Sequence, residues 1–378
     1  MNWHRQYTQP VTHYQQKKGD WFQRLHIDPV LLFLLILLSS ISLMVLMSAG
    51  HEDSALMYRQ ATRLGIAFIA MFIVAQIPPH LLKMLSPALF VLGVLLLLGV
   101  LFFGEIGKGA QRWLDFGFFR FQPSELLKLA APMMIAGYLA DKHLPPRPKH
   151  LVFATVFIAI PTLLIAKQPD LGTAILIATS GIAVLFLAGI SWRLIGIVIA
   201  IGGALTPIIW NLMKGYQRQR VLTFLNPEND PLGTGYHIIQ SKIAIGSGGI
   251  YGKGWMHSSQ ARLEFLPESS TDFIFSVFAE EFGLLGCIAL LSIYLLIFLR
   301  AIYIAIQAQD TYSRLLAGSL ALTFFVYLFV NVGMVTGILP VVGVPLPLVS
   351  YGGTSMVTLL ISFGIIMSIQ THRKLLSS

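Results

Sequence analysis

About ten apolar runs, each roughly 17 to 25 residues long, follow one another along the chain, and each is long enough to cross a hydrocarbon core of about 30 Å. They are Val30–Ala49, Ala61–Ile77, Leu81–Phe103, Pro123–Ala140, Leu151–Ala166, Asp170–Gly189, Trp192–Met213, Asp272–Ala301, Tyr312–Ile338 and Ser350–Gln370. In lipid the backbone must satisfy its own polar groups, so runs of this length are restricted to helices. The expectation is an all-α, polytopic integral membrane protein. With 11% of residues charged and a mean hydropathy of +0.73, the chain falls far below the quarter of charged residues usual in soluble domains. The first run is full length and follows a polar leader, unlike a cleaved signal peptide. Residues 1–29 are therefore read as a retained leader and 30–378 as one membrane domain.

Ten crossings put both chain ends on one side. The leader carries Arg5, Lys17, Lys18 and Arg24, and the tail carries Arg373 and Lys374. Counting Lys83, Arg193, Arg300, Arg314 and the bases of the DKHLPPRPKH segment, thirteen Lys and Arg fall on that side. Twelve fall opposite, six of them in one long loop, and the positive-inside rule discounts long loops. Both termini are expected in the cytoplasm, with the long loop outside. A net charge of +9 suits anionic lipid headgroups. Scattered over loops on two faces, these bases form no nucleic-acid patch. The single cysteine, Cys287, excludes an internal disulfide and any cysteine metal cluster.

The long loop, about 214–271 between the seventh and eighth runs, is the one large polar interruption. Its piece HIIQSKIAIG suits either an interfacial helix with Ile238, Ile239, Ile243 and Ile245 toward lipid or a buried helix of the loop itself. Its glycine stretch GSGGIYGKG misses a phosphate loop at two positions, where Ser247 and Gly254 stand. The histidines show no HExxH or other metal spacing. Further on, VVGVPLPLVSYGGTS predicts irregular backbone packed into protein, the setting in which membrane-depth backbone of that kind is tolerated.

Ionisable residues within or at the ends of apolar runs carry a functional expectation, because their insertion costs about 2.5–3.5 kcal/mol. Asp272 ends the loop and opens the eighth run. In a first helical turn it would cap the helix, and an ionised carboxylate there also suits a general base. Glu125 and Lys128, at i and i+3 in QPSELLK, share a helix face and can neutralise each other. Glu280 and Glu281 are expected to be structural partners in the bundle, and Asp170 to open the sixth helix and pair with Lys167. Among outward bases, Arg112, Arg120, Arg218, Arg220, Lys242, Lys253 and Arg262 suit phosphate oxygens, Arg through bidentate contacts. Arg112, Arg218, Arg220 and Lys253, with Trp113, Gln240, Glu125 and Lys128, make up the substrate-binding candidates.

The segments KGAQRWLDFGFFRFQPSELLKL, KQPDLGTA, PLPLVSYGGTS and the long run from RQRVLTFLNPENDPLGTGYHIIQSKIAIGSGG to KGWMHSSQARLEFLPESSTDFIFSVFAEEFG occur in this order. In these segments the chain resembles the SEDS family of shape, elongation, division and sporulation proteins, and within it the elongation branch more than the division branch. The position before Thr271, often histidine in that family, is Ser270 here. The resemblance implies a peptidoglycan glycosyltransferase of the bacterial cytoplasmic membrane that polymerises lipid II on the outer face. It implies Asp272 as the catalytic base and polyprenyl pyrophosphate as leaving group. It also implies a lipid-linked nascent glycan as second substrate and, as partners, a class B penicillin-binding protein and other elongation-complex membrane proteins. A divalent cation, Mg or Mn, carried on the substrate's pyrophosphate is compatible with this chemistry. The rival readings are a flippase for lipid-linked precursors, which predicts midplane polar residues and repeat symmetry, and a noncatalytic scaffold in which Asp272 is replaceable.

Overall fold

A computed structural model of the protein describes residues 25–50, 53–107, 110–115, 120–213, 215–226, 228, 233–263, 265–266 and 268–372. Most of the leader thus lies outside the described residues. Ten helices coincide with the ten apolar runs: α1 (Pro29–Ala49), α2 (Ser54–Ala75), α3 (Pro79–Phe103), α4 (Pro123–Ala140), α5 (Pro148–Lys167), α6 (Leu171–Leu187), α7 (Trp192–Leu212), α11 (Ile274–Ile306), α12 (Thr311–Val335) and α13 (Thr354–Thr371). Six of them, α1, α3, α5, α11, α12 and α13, are long and apolar enough by length and composition to cross a membrane. Within the long loop lie three shorter helices, α8 (Gly215–Leu225), α9 (Thr234–Ser247) and α10 (Ser259–Arg262).

Local chemistry explains where several helices begin. Asp28 accepts from the Leu31 amide at 2.8 Å and Pro29 occupies the first turn of α1, the position where a missing N–H costs nothing. Helix α2 starts at Ser54, seven residues before its apolar run, because Asp53 accepts from the Ala55 amide at 2.9 Å. The extra polar turns bring Gln60 into the bundle, where it is fully buried. Asp170 does open α6, accepting from the Thr173 amide at 3.3 Å. Its ion pair is with Arg112, 3.3 Å away, and not with Lys167 as its neighbourhood in sequence suggested.

The first and last described segments meet on one face. The His26 ring stacks on His372 at 3.9 Å and its Nδ1 lies 3.0 Å from Thr371 Oγ1, while Arg300 on α11 pairs with Asp28. On the opposite face the structure adds an element absent from the helix-only expectation. A small antiparallel sheet, β1 (Glu105–Gly107), β2 (Ala110–Asp115) and β3 (Arg120–Phe121), precedes α4 in the order β1-β2-β3. β1 and β3 are too short to show a period, and β2, AQRWLD, does not alternate, which is why they escaped the sequence.

The long loop is packed rather than draped. In α9, Ile238, Ser241 and Ala244 are buried and the helix lies against α11 and α12, the buried-helix alternative. The glycine stretch serves a break in α11, where Gly283 leaves helical geometry at φ 63°. Across that break the loop completes the interrupted ladder: the Lys253 and Gly254 amides donate to the Glu280 and Glu281 carbonyls at 3.0 and 2.9 Å, and the Leu284 and Leu285 amides donate to Gly249 and Ile250 at 2.9 and 3.1 Å. A Cβ on Gly252 would lie 2.1 Å from the Glu281 carbonyl oxygen, so only glycine permits this approach. The buried Glu280 carboxylate fastens the same loop, accepting from Lys253 Nζ at 2.6 Å, Ser258 Oγ at 2.5 Å and Ser259 Oγ at 2.7 Å. Glu281 takes Ser48 of α1.

Candidate active site

Asp272 sits just before α11, which begins at Ile274 with Phe273 at its N-cap. Its segment is tied to the irregular backbone of residues 339–353. Asn331 on α12 donates to both the Asp272 and Val344 carbonyls, at 2.9 and 2.8 Å. Ser350 Oγ donates to the Thr271 carbonyl at 2.5 Å, and the Tyr351 amide donates to Ser270 at 2.8 Å. Gly343 stands so close that a Cβ there would lie 3.5 Å from Asp272 Oδ2, and its φ of +70° favours glycine.

The irregular segment has its carbonyls satisfied from all sides. Ser42 on α1 donates to Val349 at 2.8 Å, Gln60 on α2 to Ser350 at 3.3 Å and Tyr294 on α11 to Pro347 at 2.6 Å. Buried backbone without regular structure demands such partners. Four helices therefore fix the loop that fixes Asp272.

The end of this segment, at Tyr351, lines a cavity of about 980 Å³ that opens between α2, α4, α13 and the small sheet. Arg63, Arg112, Arg120, Trp113, Glu125 and Tyr351 give it a polar wall, while Ile66, Leu126, Leu129, Val357 and Ile361 give it an apolar one. The sheet sets two of the cations. Arg120 faces Asp115 across β2 and β3 and pairs with it at 3.3 Å, and Arg112 reaches Asp170. At the floor, Lys128 Nζ donates to Glu125 Oε1 at 2.8 Å and lies 5.4 Å from the Tyr327 ring centroid. Glu125 Oε2 is buried without a partner among the described residues. The combination suits an amphiphile whose anionic head meets arginines and whose chain meets α2, α4 and α13.

The expected substrate-binding set thus divides. Arg112, Trp113, Glu125 and Lys128 gather at this cavity, the first three on its wall and Lys128 behind Glu125. Arg218 is directed elsewhere, donating to the Trp210 and Asn211 carbonyls at the end of α7, at 2.8 and 2.7 Å. Lys253 is held by Glu280 and Ser259. Gln240 is half-buried on α9; the Arg220 side chain lies outside the described residues. Arg63 and Tyr351 were not anticipated. Arg63 carried the signal applied to the acids, a charge inside an apolar run; Tyr351 carried none, because its place depends on the fold. Among the described residues no three His, Cys, Asp or Glu side chains gather as a metal site requires, so the donor set does not fit a resident cation.

The FtsW, RodA and SpoVE family model, described as "Cell cycle protein", matches residues 23–375. The chain belongs to this family. It is 53% identical to the peptidoglycan glycosyltransferase MrdB of Escherichia coli K12 over 97% of its own length and 99% of that protein. It is 32% identical to the peptidoglycan glycosyltransferase RodA of Treponema pallidum, covering 92% and 98%. Among solved structures it resembles a chain from a peptidoglycan synthase complex, studied for how polymerization and crosslinking are coordinated, with TM-score 0.81, 30% identity and coverage of 92% and 99%. It also resembles Thermus thermophilus RodA, with TM-score 0.70, 27% identity and coverage of 92% and 98%. These solved structures share the polytopic helical fold described above.

Proposed function

We propose that this chain is a peptidoglycan glycosyltransferase that polymerises lipid II for lateral wall growth, with Asp272 as its base. One observation carries the assignment of residues: the segment bearing Asp272 is hydrogen-bonded to Tyr351, which itself lines the arginine-walled cavity between apolar helices. An acid and an anion site are thereby held in register at a place a lipid-borne substrate can reach. In the reaction, Asp272 takes the proton from the 4-hydroxyl of the acceptor's N-acetylglucosamine as that oxygen bonds to C1 of the donor sugar. The C1–O bond to the diphosphate breaks with inversion, and its electron pair leaves on the polyprenyl diphosphate. Arg112 and Arg120 stabilise that charge from a partly apolar wall, where fixed donors act most strongly. Holding two lipid-linked substrates beside one another supplies proximity as well. A divalent cation would arrive on the diphosphate, since among the described residues no three His, Cys, Asp or Glu side chains gather to hold one.

The same reading places the chain in the bacterial cytoplasmic membrane with both termini inside and the Asp272 face outward. The excess of basic residues on the side of the chain ends supports that orientation. As partner we propose a class B penicillin-binding protein with a membrane helix of its own, supported by the similarity to a chain from a synthase complex. The test is polymerisation of lipid II by the purified full chain in vesicles, with and without such a partner. Asp272→Asn is expected to lower the rate about 10²- to 10⁴-fold while the protein stays folded. Glycan made by the variant at the wild-type rate would sink the base assignment, and translocation of lipid II without polymerisation would favour a flippase.

A further inference from the structure

Three arginines line the cavity, and they differ in one respect. Arg112 is paired with Asp170 and Arg120 with Asp115, whereas Arg63 makes no ion pair among the described residues. It is half-buried on α2, its Cζ 4.8 Å from the Tyr351 ring centroid and its Nε 3.6 Å from where a Cβ on Gly353 would stand. Glu125, the acid on the same wall, is already neutralised by Lys128. The uncompensated positive charge of this wall therefore sits on Arg63. An arginine held within an apolar helix with no carboxylate is costly and points to a function.

Arg63 is also where the cavity connects to the base. Gln60, one turn away on α2, donates to the Ser350 carbonyl; Arg63 stacks on Tyr351; and Ser350 and Tyr351 hold the Thr271 and Ser270 carbonyls, adjacent to Asp272. We infer that Arg63 reads the anionic headgroup of the lipid in the cavity and, through its stack on Tyr351, positions the segment that carries Asp272. This deepens the proposed function and rests on its view of the cavity. Arg63 touches the headgroup, whereas Tyr351 is a positioning residue. A headgroup that draws the guanidinium into a bidentate contact changes its seat on the ring. The backbone amide of Tyr351 then carries that change to the Ser270 carbonyl.

The experiment uses the full chain in phosphatidylcholine vesicles, with a polyprenyl diphosphate, a polyprenyl monophosphate and free pyrophosphate as probes. Two readouts need no turnover: equilibrium binding, and hydrogen exchange at the amides of residues 270–273. Arg63→Gln is expected to weaken binding of the lipid diphosphate about ten- to hundredfold and to flatten its salt dependence. Arg63→Lys, which keeps the charge but not the planar fork, should recover only part of the binding. Tyr351→Leu should bind within about twofold of wild type, a stacking contact being worth less than the charge, yet lose the protection that the lipid diphosphate confers on residues 270–273. In polymerisation, Arg63→Gln should raise KM and Tyr351→Leu should lower kcat. Thermal melting of each variant separates these effects from misfolding.

Wild-type binding by Arg63→Gln would overturn the inference while leaving glycosyl transfer intact. So would protection of residues 270–273 in Tyr351→Leu equal to wild type. Equal affinity for free pyrophosphate and lipid diphosphate would overturn the lipid headgroup in favour of a soluble anion. If the wild type makes no glycan, the transfer reading fails instead, and the binding and exchange arms still decide Arg63 and Tyr351.

Discussion

The long loop and the short sheet before α4 are both basic segments, yet they use their cations in opposite ways. In the loop, Lys253 is absorbed by Glu280 and Arg218 by the carbonyls that end α7. At the sheet, Arg112 and Arg120 keep carboxylate partners but present their guanidinium groups to a cavity. Density of charge along a sequence therefore does not locate an anion site. What locates it is where the charges meet empty space beside apolar walls, because there an incoming anion can be added beside the existing partners.

The sharpest way to break this contrast is to remove one cation from each region. Arg112→Gln is expected to lower kcat/KM about 10²-fold, the usual scale for losing one donor to developing charge; an effect under twofold in a polymerisation assay would dissolve the distinction. Lys253→Met acts on the other side of the comparison. It leaves the Glu280 carboxylate without its cation, and is expected to cost about 2 kcal/mol of stability, read as a lower melting temperature with kcat nearly unchanged for the folded fraction. Arg218→Gln should cost less, about 1 kcal/mol, since it removes contacts to the last carbonyls of one helix, and its kcat/KM should match wild type. If Arg218→Gln damaged turnover as Arg112→Gln does, the loop would belong to the site after all.

The smallest effect expected lies far from both regions, where the chain ends meet. Burial, and then the stacked His372, hold the His26 pKa below its ordinary value of 6.5. Its folded form therefore binds protons less readily than its unfolded form. The contact between the ends should be fully present above the ordinary histidine range and loosen as pH falls through and below it. Protection factors at residues 25–28, from hydrogen exchange corrected for the intrinsic fall of the rate in acid, check this, and protection that grows as pH falls would contradict it.

Much of this architecture is legible because lipid leaves the backbone few choices. The ten runs became ten helices within a few residues, and where α2 departs, at Ser54, the cause is a polar turn that hydrophobicity cannot register. The site was legible only in part. Asp272, Arg112, Trp113 and Glu125 stand out by type and position, whereas the relation of Arg218 or Lys253 to their partners lies in tertiary contacts between distant segments. The sheet was hidden by two very short strands and a third, AQRWLD, without alternation, and the glycine stretch by a purpose that belongs to another helix. Arg63 could have been found: an arginine two residues into an apolar run meets the rule applied to the acids.

That glycine stretch has a bearing on how the molecule ages and how it can be altered. Surface segments rich in glycine are ordinarily where a protease enters and where an insertion is tolerated. Here the amides of residues 253 and 254 and the carbonyls of 249 and 250 are engaged by α11, so the backbone is withdrawn from any enzyme that must draw it out as an extended strand. Side chains at Ile250 and Tyr251, which are exposed, remain free to vary. The segment is permissive in what it displays and intolerant in its length, and an epitope inserted there would part the two halves of α11 before it was ever displayed.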